Sequence, residues 1–283
     1  MIRLCAFADE SSPAVSGQLA ALKRNGIGLI EVRGLDGKNV SKLTLEEAEE
    51  YAKIFRDAGI RVWSVGSPIG KIKLSDDFEA HVELLHHVCR VAQIFGTDKV
   101  RMFSFYKADD AALVKERLAR MVGVAGEYGV RLYHENEKGI FGDRLCRVTE
   151  LLDSVRGLEC VYDPANFIEV GEDAPAARRA LRARVGYYHI KDVIAKTGQI
   201  VPAGYGDGDI AGLVRSLDTD AETVLTLEPH LAKFVGYSEI DNTEMKNKFS
   251  FRSNDEAFDA AVNALKAILA DCGYKEIQGG YEK

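Results

Sequence analysis

Apolar and polar positions alternate along this chain with two different periods, and the two periods take turns. Short runs rich in Val, Ile, Leu and Tyr predict strands at residues 2–7, 29–33, 61–65, 99–104, 130–135, 159–163, 187–190 and 223–228. Between them lie amphipathic stretches at helical spacing, bounded by recognisable start and stop signals. Thr44-Leu45-Glu46-Glu47 is one such start. The Thr44 hydroxyl accepts the amide hydrogen of Glu47, and the Glu47 carboxylate reaches back to the amide of Thr44. The helix it opens is expected to run to about Ala58, where Gly59 supplies a left-handed stop and Ile60 begins the next strand. The same grammar recurs at Gly26, Gly96 and Gly129.

Repeated strand, helix, glycine, strand is the pattern of βαβ units, whose right-handed crossovers generate parallel sheets. Eight units over 283 residues, with no Pro/Gly/Ser-rich linker, predict an α/β protein with a single domain over residues 1–283, a (β/α)8 TIM barrel. A doubly wound sheet would carry a GxGxxG turn after its first strand. Here that strand is followed by Ala8-Asp9-Glu10-Ser11-Ser12-Pro13, with no glycine. The run Gly204-Tyr205-Gly206-Asp207-Gly208 comes after the seventh strand and reads as a mobile barrel loop. The least regular stretch, residues 232–254, holds Phe234, Tyr237, Phe249 and Phe251 among charges, ahead of a final helix from about 255 to 272. A loop of that length is expected to be functional, as a lid over the site or as a homodimer contact.

Composition narrows the partners. With 46% hydrophobic and 29% charged residues the chain is that of an ordered globular protein, and its net charge of −7 argues against a nucleic-acid track. Five scattered cysteines, never in a CxxC pair, fit reduced thiols. The first residues lack a secretory apolar core, and no stretch approaches ~20 apolar residues. The expectation is a cytoplasmic protein with a small-molecule substrate, no nucleic acid and no membrane.

Four of the strand-like runs end in side chains that can bind a metal: Glu135, Asp163, His189 and Glu228, in that order. Strand ends are where a parallel barrel presents its catalytic groups. A single carboxylate there would ordinarily cap a helix or pair with a lysine. Four on successive strands converge on one point. The set is all oxygen and nitrogen, with no thiolate, and its combined charge of −3 calls for a divalent ion: Mn²⁺ first, then Co²⁺, Zn²⁺ or Mg²⁺. Two glutamates on well-separated strands face each other. A substrate chelated through a carbonyl and an adjacent hydroxyl would lie between them, its carbon–hydrogen bond open to a carboxylate base on either side. Returning the proton from the opposite side inverts a carbon, and returning it to the neighbouring carbon exchanges aldose and ketose.

The stretches His134-Glu135-Asn136-Glu137-Lys138-Gly139-Ile140-Phe141-Gly142-Asp143, Tyr162-Asp163-Pro164-Ala165-Asn166-Phe167, His189-Ile190-Lys191-Asp192 and Leu227-Glu228-Pro229-His230-Leu231 carry a resemblance. With Ala6-Phe7-Ala8-Asp9-Glu10 and Val65-Gly66-Ser67-Pro68-Ile69-Gly70, they are similar to the sugar phosphate isomerase/epimerase family of xylose isomerase-like TIM barrels (AP endonuclease family 2). That family also includes endonuclease IV and the enzymes of myo-inositol breakdown. The resemblance implies that Glu135, Asp163, His189 and Glu228 match the metal ligands of ketose 3-epimerases, with Glu135 and Glu228 also matching the acid/base pair. Tyr205 stands where the family often has an acidic residue, so it is expected to stack on substrate or cover the site.

Strand alternation points Lys191 the same way as His189, and pairs Arg33 with Glu31, which makes all three expected substrate contacts unless Glu31 and Arg33 merely pair internally. His230 is expected to touch substrate or orient the site. His81, His86 and His87 are expected on a solvated helix face. The leading expectation is a metal-dependent isomerase or epimerase of a sugar, sugar phosphate or cyclitol. A dehydratase or lyase of the inosose dehydratase type is the alternative, and a DNA-repair endonuclease or a non-catalytic carbohydrate-binding barrel stands further back.

Overall fold

The computed structural model describes residues 1–218, 221–233, 249 and 251–283. Eight strands, β1 (Ile2–Ala6), β2 (Leu29–Val32), β3 (Arg61–Gly66), β4 (Lys99–Met102), β5 (Arg131–Glu135), β6 (Glu159–Tyr162), β7 (Val185–Ile190) and β8 (Thr223–Leu227), coincide with the eight predicted runs. Each pairs in parallel with the next, and β8 pairs with β1 from Ile2↔Thr223 to Ala6↔Leu227, so the sheet closes into a (β/α)8 barrel. The helical start and stop signals hold. Thr44 Oγ1 accepts from the Glu47 amide at 3.1 Å, the Glu47 carboxylate accepts from the Thr44 amide at 2.7 Å, and helix Leu45–Ala58 stops at Gly59 with φ 73°.

Inside the barrel, side chains are stacked in layers set by strand alternation. The lower layer is apolar and includes Cys5, Leu29, Tyr133, Val161, Tyr187 and Val224, with Trp63 packed against it. Tyr187 lies 5.4 Å from Tyr133 and edge-on to Trp63 at 6.0 Å, so aromatic rings plug the lower barrel. Two residues further along each strand the same inward direction carries Glu31, Glu135, Asp163 and His189, and Val224 is followed by Thr226 and Glu228. The polar site therefore rests on an apolar floor.

Several short elements are additional to the barrel repeat. A six-residue helix, Pro164–Glu169, follows β6 directly, and a hairpin of Asp192–Ile194 with Gln199–Val201 follows β7. At the opposite end Ile2 pairs with Tyr281 of a hairpin formed by Lys275–Ile277 and Gly280–Glu282. The final long helix runs Asn254–Asp271. Most of the predicted lid or interface stretch, residues 234–248 and 250, lies outside the described residues.

Two expectations are corrected. The loop Gly204–Gly208 is tethered rather than mobile: the amides of Gly204, Gly206 and Gly208 donate to the Asp192 carboxylate at 2.8, 3.0 and 2.9 Å. A side chain at Gly206 would strike that carboxylate and the Val193 backbone, which accounts for the glycine there. The histidines of helix Phe78–Phe95 do not form a solvated face. His81 is buried and accepts the Gly70 amide at 2.8 Å, while half-buried His86 and His87 meet Tyr128 Oη and the Leu43 carbonyl. All three bridge the helix to its neighbours, which periodicity alone does not reveal. Among the described residues no helix is long and apolar enough to cross a membrane.

Candidate metal centre

Glu135 closes β5, His189 lies near the end of β7, and Asp163 and Glu228 each sit one residue past β6 and β8. All four are buried, and each offers a ligand atom within 4.8 Å of the others. His189 sets the geometry. Its Nδ1 lies 3.0 Å from Glu135 Oε1 and 3.4 Å from Glu228 Oε2, while Nε2 lies 3.2 Å from Glu31 Oε2. Glu31 also accepts the Tyr187 hydroxyl at 2.9 Å. With an ion bound, a carboxylate accepting from Nε2–H would leave the Nδ1 lone pair for that ion, as metal-binding histidines require.

Asp163 is oriented by its own chain. Its Oδ1 accepts the Asn166 amide at 3.0 Å as the cap of helix Pro164–Glu169, which leaves Oδ2 turned to the centre. Asn136 joins the ends of β5 and β6, donating to the Asp163 carbonyl and accepting the Asp163 amide, both at 2.9 Å. Asn166 Nδ2 then reaches the Asn136 carbonyl at 2.9 Å and Glu135 Oε1 at 3.3 Å.

The electrostatics favour a cation. Six buried carboxylates, Asp9, Glu10, Glu31, Glu135, Asp163 and Glu228, gather around three buried permanent cations, Arg33, Arg101 and Lys191. Asp163 Oδ2 and Glu228 Oε2 are buried and accept no hydrogen bond of good geometry. A buried ionised oxygen left that way is costly. Burial works to lower the His189 pKa, but the charges of Glu135 and Glu31 outweigh it and hold the imidazole well above its ordinary value. Burial likewise works to raise Glu228, and Lys191 and His230 overcome it, keeping that carboxyl well below its usual range. Glu135 is also lowered, against burial, chiefly by His189. Asp163 goes the other way, pushed up to about 6 by burial against the pull of Lys191. Three carboxylates and one imidazole nitrogen, with two inward oxygens that accept no hydrogen bond of good geometry, fit a divalent ion.

The remaining predicted residues divide. Lys191 Nζ lies 3.0 Å from Asp163 Oδ2 and 3.6 Å from Glu228 Oε2. Arg33 grips Asp9 with two hydrogen bonds at 2.9 and 3.0 Å and holds Glu10 and Glu228 Oε1, both at 3.1 Å. Its guanidinium thus braces carboxylates. Glu31 lies in the same inward row, its carboxylate on the Nε2 side of His189. His230 is brought in past the strand by a left-handed backbone (φ 46°), which sets its Nε2 3.5 Å from both Glu228 and Glu10. Tyr205 is not gathered in: it is 65% exposed and packs edge-on against Phe249 at 5.6 Å.

Sequence reasoning missed Arg101, Asn136, Asn166, Asp9 and Glu10. Arg101 approaches Glu135 Oε2 at 3.3 Å and donates to the Ser67 carbonyl at 3.0 Å. A lone arginine inside the apolar run Val100-Arg101-Met102 was its available signal. A polar cleft bordered by Arg101, Glu137, Lys138, Lys191 and His230 opens above the centre. A larger cavity lies at the opposite end of the strands, between Arg3, Arg61, Glu276 and Tyr281, and contains none of these groups.

A closed parallel barrel with carboxylates and an imidazole converging at the carboxyl ends of its strands defines the class. The chain belongs to the family described as the xylose isomerase-like TIM barrel, which matches residues 19–269. Over 177 residues it is 24% identical to a 3-dehydroshikimate dehydratase of Bacillus anthracis, a match that spans 60% of this chain and 63% of that relative. The solved structure of a probable 3-DHS dehydratase from Bacillus anthracis superimposes with a TM-score of 0.72 at 18% identity, covering 95% of this chain and 98% of the other. An L-ribulose 3-epimerase gives 0.74 at 20% identity, covering 96% of each chain. The IOLI protein with a bound zinc atom gives 0.71 at 16% identity, covering 95% and 98%. At these identities the structural likeness speaks for the fold.

Proposed function

We propose that this protein is a divalent-metal-dependent isomerase or epimerase acting on a sugar, sugar phosphate or cyclitol. One observation carries the reading: Glu135 and Glu228, on strands separated by β6 and β7, both approach His189 Nδ1, and neighbouring cations hold both ionised. Glu135, Asp163, His189 through Nδ1, and Glu228 would hold the ion, Mn²⁺ in first place with Co²⁺, Zn²⁺ or Mg²⁺ as substitutes. Once bound, it would polarise a chelated carbonyl and stabilise the enediolate that follows loss of an adjacent proton. Glu135 or Glu228 would take that proton as a base. Inversion follows when one carboxylate takes the proton and the opposite one, having first gained a proton from solvent, delivers it to the other face. Lys191 and Arg101, at the edge of the cleft, are placed to meet hydroxyl oxygens.

The test is solvent exchange. The metal-loaded protein, incubated in D₂O with ketoses, inososes and their phosphates, is expected to incorporate deuterium next to the carbonyl. Glu135→Gln and Glu228→Gln should each lower exchange by about 10²–10⁴-fold, with metal content measured alongside to separate lost ion from lost base. Exchange that survives both substitutions would remove the acid/base assignment.

The 24% identical dehydratase supports a second reading. The same proton abstraction followed by departure of a β-hydroxyl would make the protein a dehydratase. That reaction releases water and leaves a conjugated enone, so a rise in ultraviolet absorbance without reversible exchange would select it.

A further inference from the structure

Lys191 follows the last residue of β7 and turns across the barrel mouth. Its ammonium is 3.0 Å from Asp163 Oδ2 and 3.6 Å from Glu228 Oε2. These are the two inward oxygens that accept no hydrogen bond of good geometry, and both residues belong to the candidate ligand set. The other buried cations are arranged differently. Arg33 holds Glu228 by Oε1, and Arg101 approaches Glu135 by Oε2 while Glu135 Oε1 faces His189. Those guanidinium groups can stay in place when the inward oxygens take up an ion. Lys191 sits on the inward oxygens themselves, at the end of a flexible four-carbon stem, and borders the cleft into which it could move.

We propose that Lys191 is a tethered counter-cation of the centre, which neutralises Asp163 and Glu228 when no metal is bound and is displaced into the cleft when metal enters. This rests on the metal-dependent reading above. It goes further in assigning the lysine a competition with the ion. A positive charge already paired to the ligand oxygens lowers metal affinity and keeps the metal-free site from being held apart by its own carboxylates.

The experiment uses the full chain, stripped with a chelator and titrated with Mn²⁺ by calorimetry at one pH, with melting curves of both forms. Lys191→Met is expected to bind Mn²⁺ about tenfold or more tightly than wild type, to melt lower when metal-free, and to melt no lower when loaded. Lys191→Arg keeps the charge and should stay near wild-type affinity. If the methionine variant does not fold, Lys191→Gln retains a hydrogen-bond donor and takes its place. A lysine that only braces the barrel would lower both melting temperatures and leave affinity unchanged or weaker, which would overturn the proposal. If Mn²⁺ binds neither wild type nor variants, the metal-dependent reading falls and this one with it.

Discussion

Glu31 and His189 stand 158 residues apart in the chain and meet across a 3.2 Å contact. Glu31 faces the Nε2 side of the imidazole and so bears on which nitrogen an ion would meet, and it also lies 4.0 Å from Arg101 Nε. Glu31→Gln preserves the volume but weakens the acceptor, and is expected to reduce metal affinity by about 10–100-fold, read by calorimetry. Unchanged affinity would mean that Glu31 does not set the tautomer. Strand alternation correctly turned Glu31 inward, which is all that a period of two can report. Its partner depends on the stagger of strands from distant parts of the sequence, so a residue expected against substrate pairs with a candidate ligand instead. The four central residues were legible because each ends its own apolar run. The asparagines that hold them were not, since Asn136 and Asn166 act through side-chain contacts that leave no periodic trace.

At the scale of elements, the glycine stops and the capping box are local signals and translate directly into helix ends. Contacts between elements are less visible, and the helix Phe78–Phe95 shows why. Its His81 supports the turn after β3 by accepting the Gly70 amide, where φ is 87° and a side chain would collide with the Phe103 carbonyl. Burial lowers the His81 pKa from 6.5 to about 4, so the imidazole stays neutral in the fold while the unfolded chain protonates it. The unfolded state therefore binds more protons between these values, and stability drops as pH falls from about 6.5 towards about 4. Urea midpoints across that window should show the decline, with His81→Gln flattening part of it. An identical slope in the variant would assign the effect to other groups.

At the scale of the whole molecule, the barrel was legible because it repeats one unit eight times, so an error in one unit is corrected by the others. The centre draws its candidate ligands from β5 to β8, and Arg33, which follows β2, joins Asp9 and Glu10 to Glu228. An ion bound there would tie β5 to β8 together, while Arg33 links that half of the ring to the first. Adding Mn²⁺ at a hundredfold excess over Kd should stabilise the stripped protein by about 2.7 kcal/mol, raising Tm by several degrees. No shift would argue against a metal bound by the folded state. The seam between β1 and β8 has a bearing on how the molecule forms. Met1 donates to Ala221 across 220 positions of chain, and Glu228 lies directly after the strand that completes this seam. Such distant pairing carries a large loop-closure cost and tends to come late in folding. A chain assembled only through β7 would own Glu135, Asp163 and His189 but not Glu228, so the complete ligand set comes into being with ring closure itself.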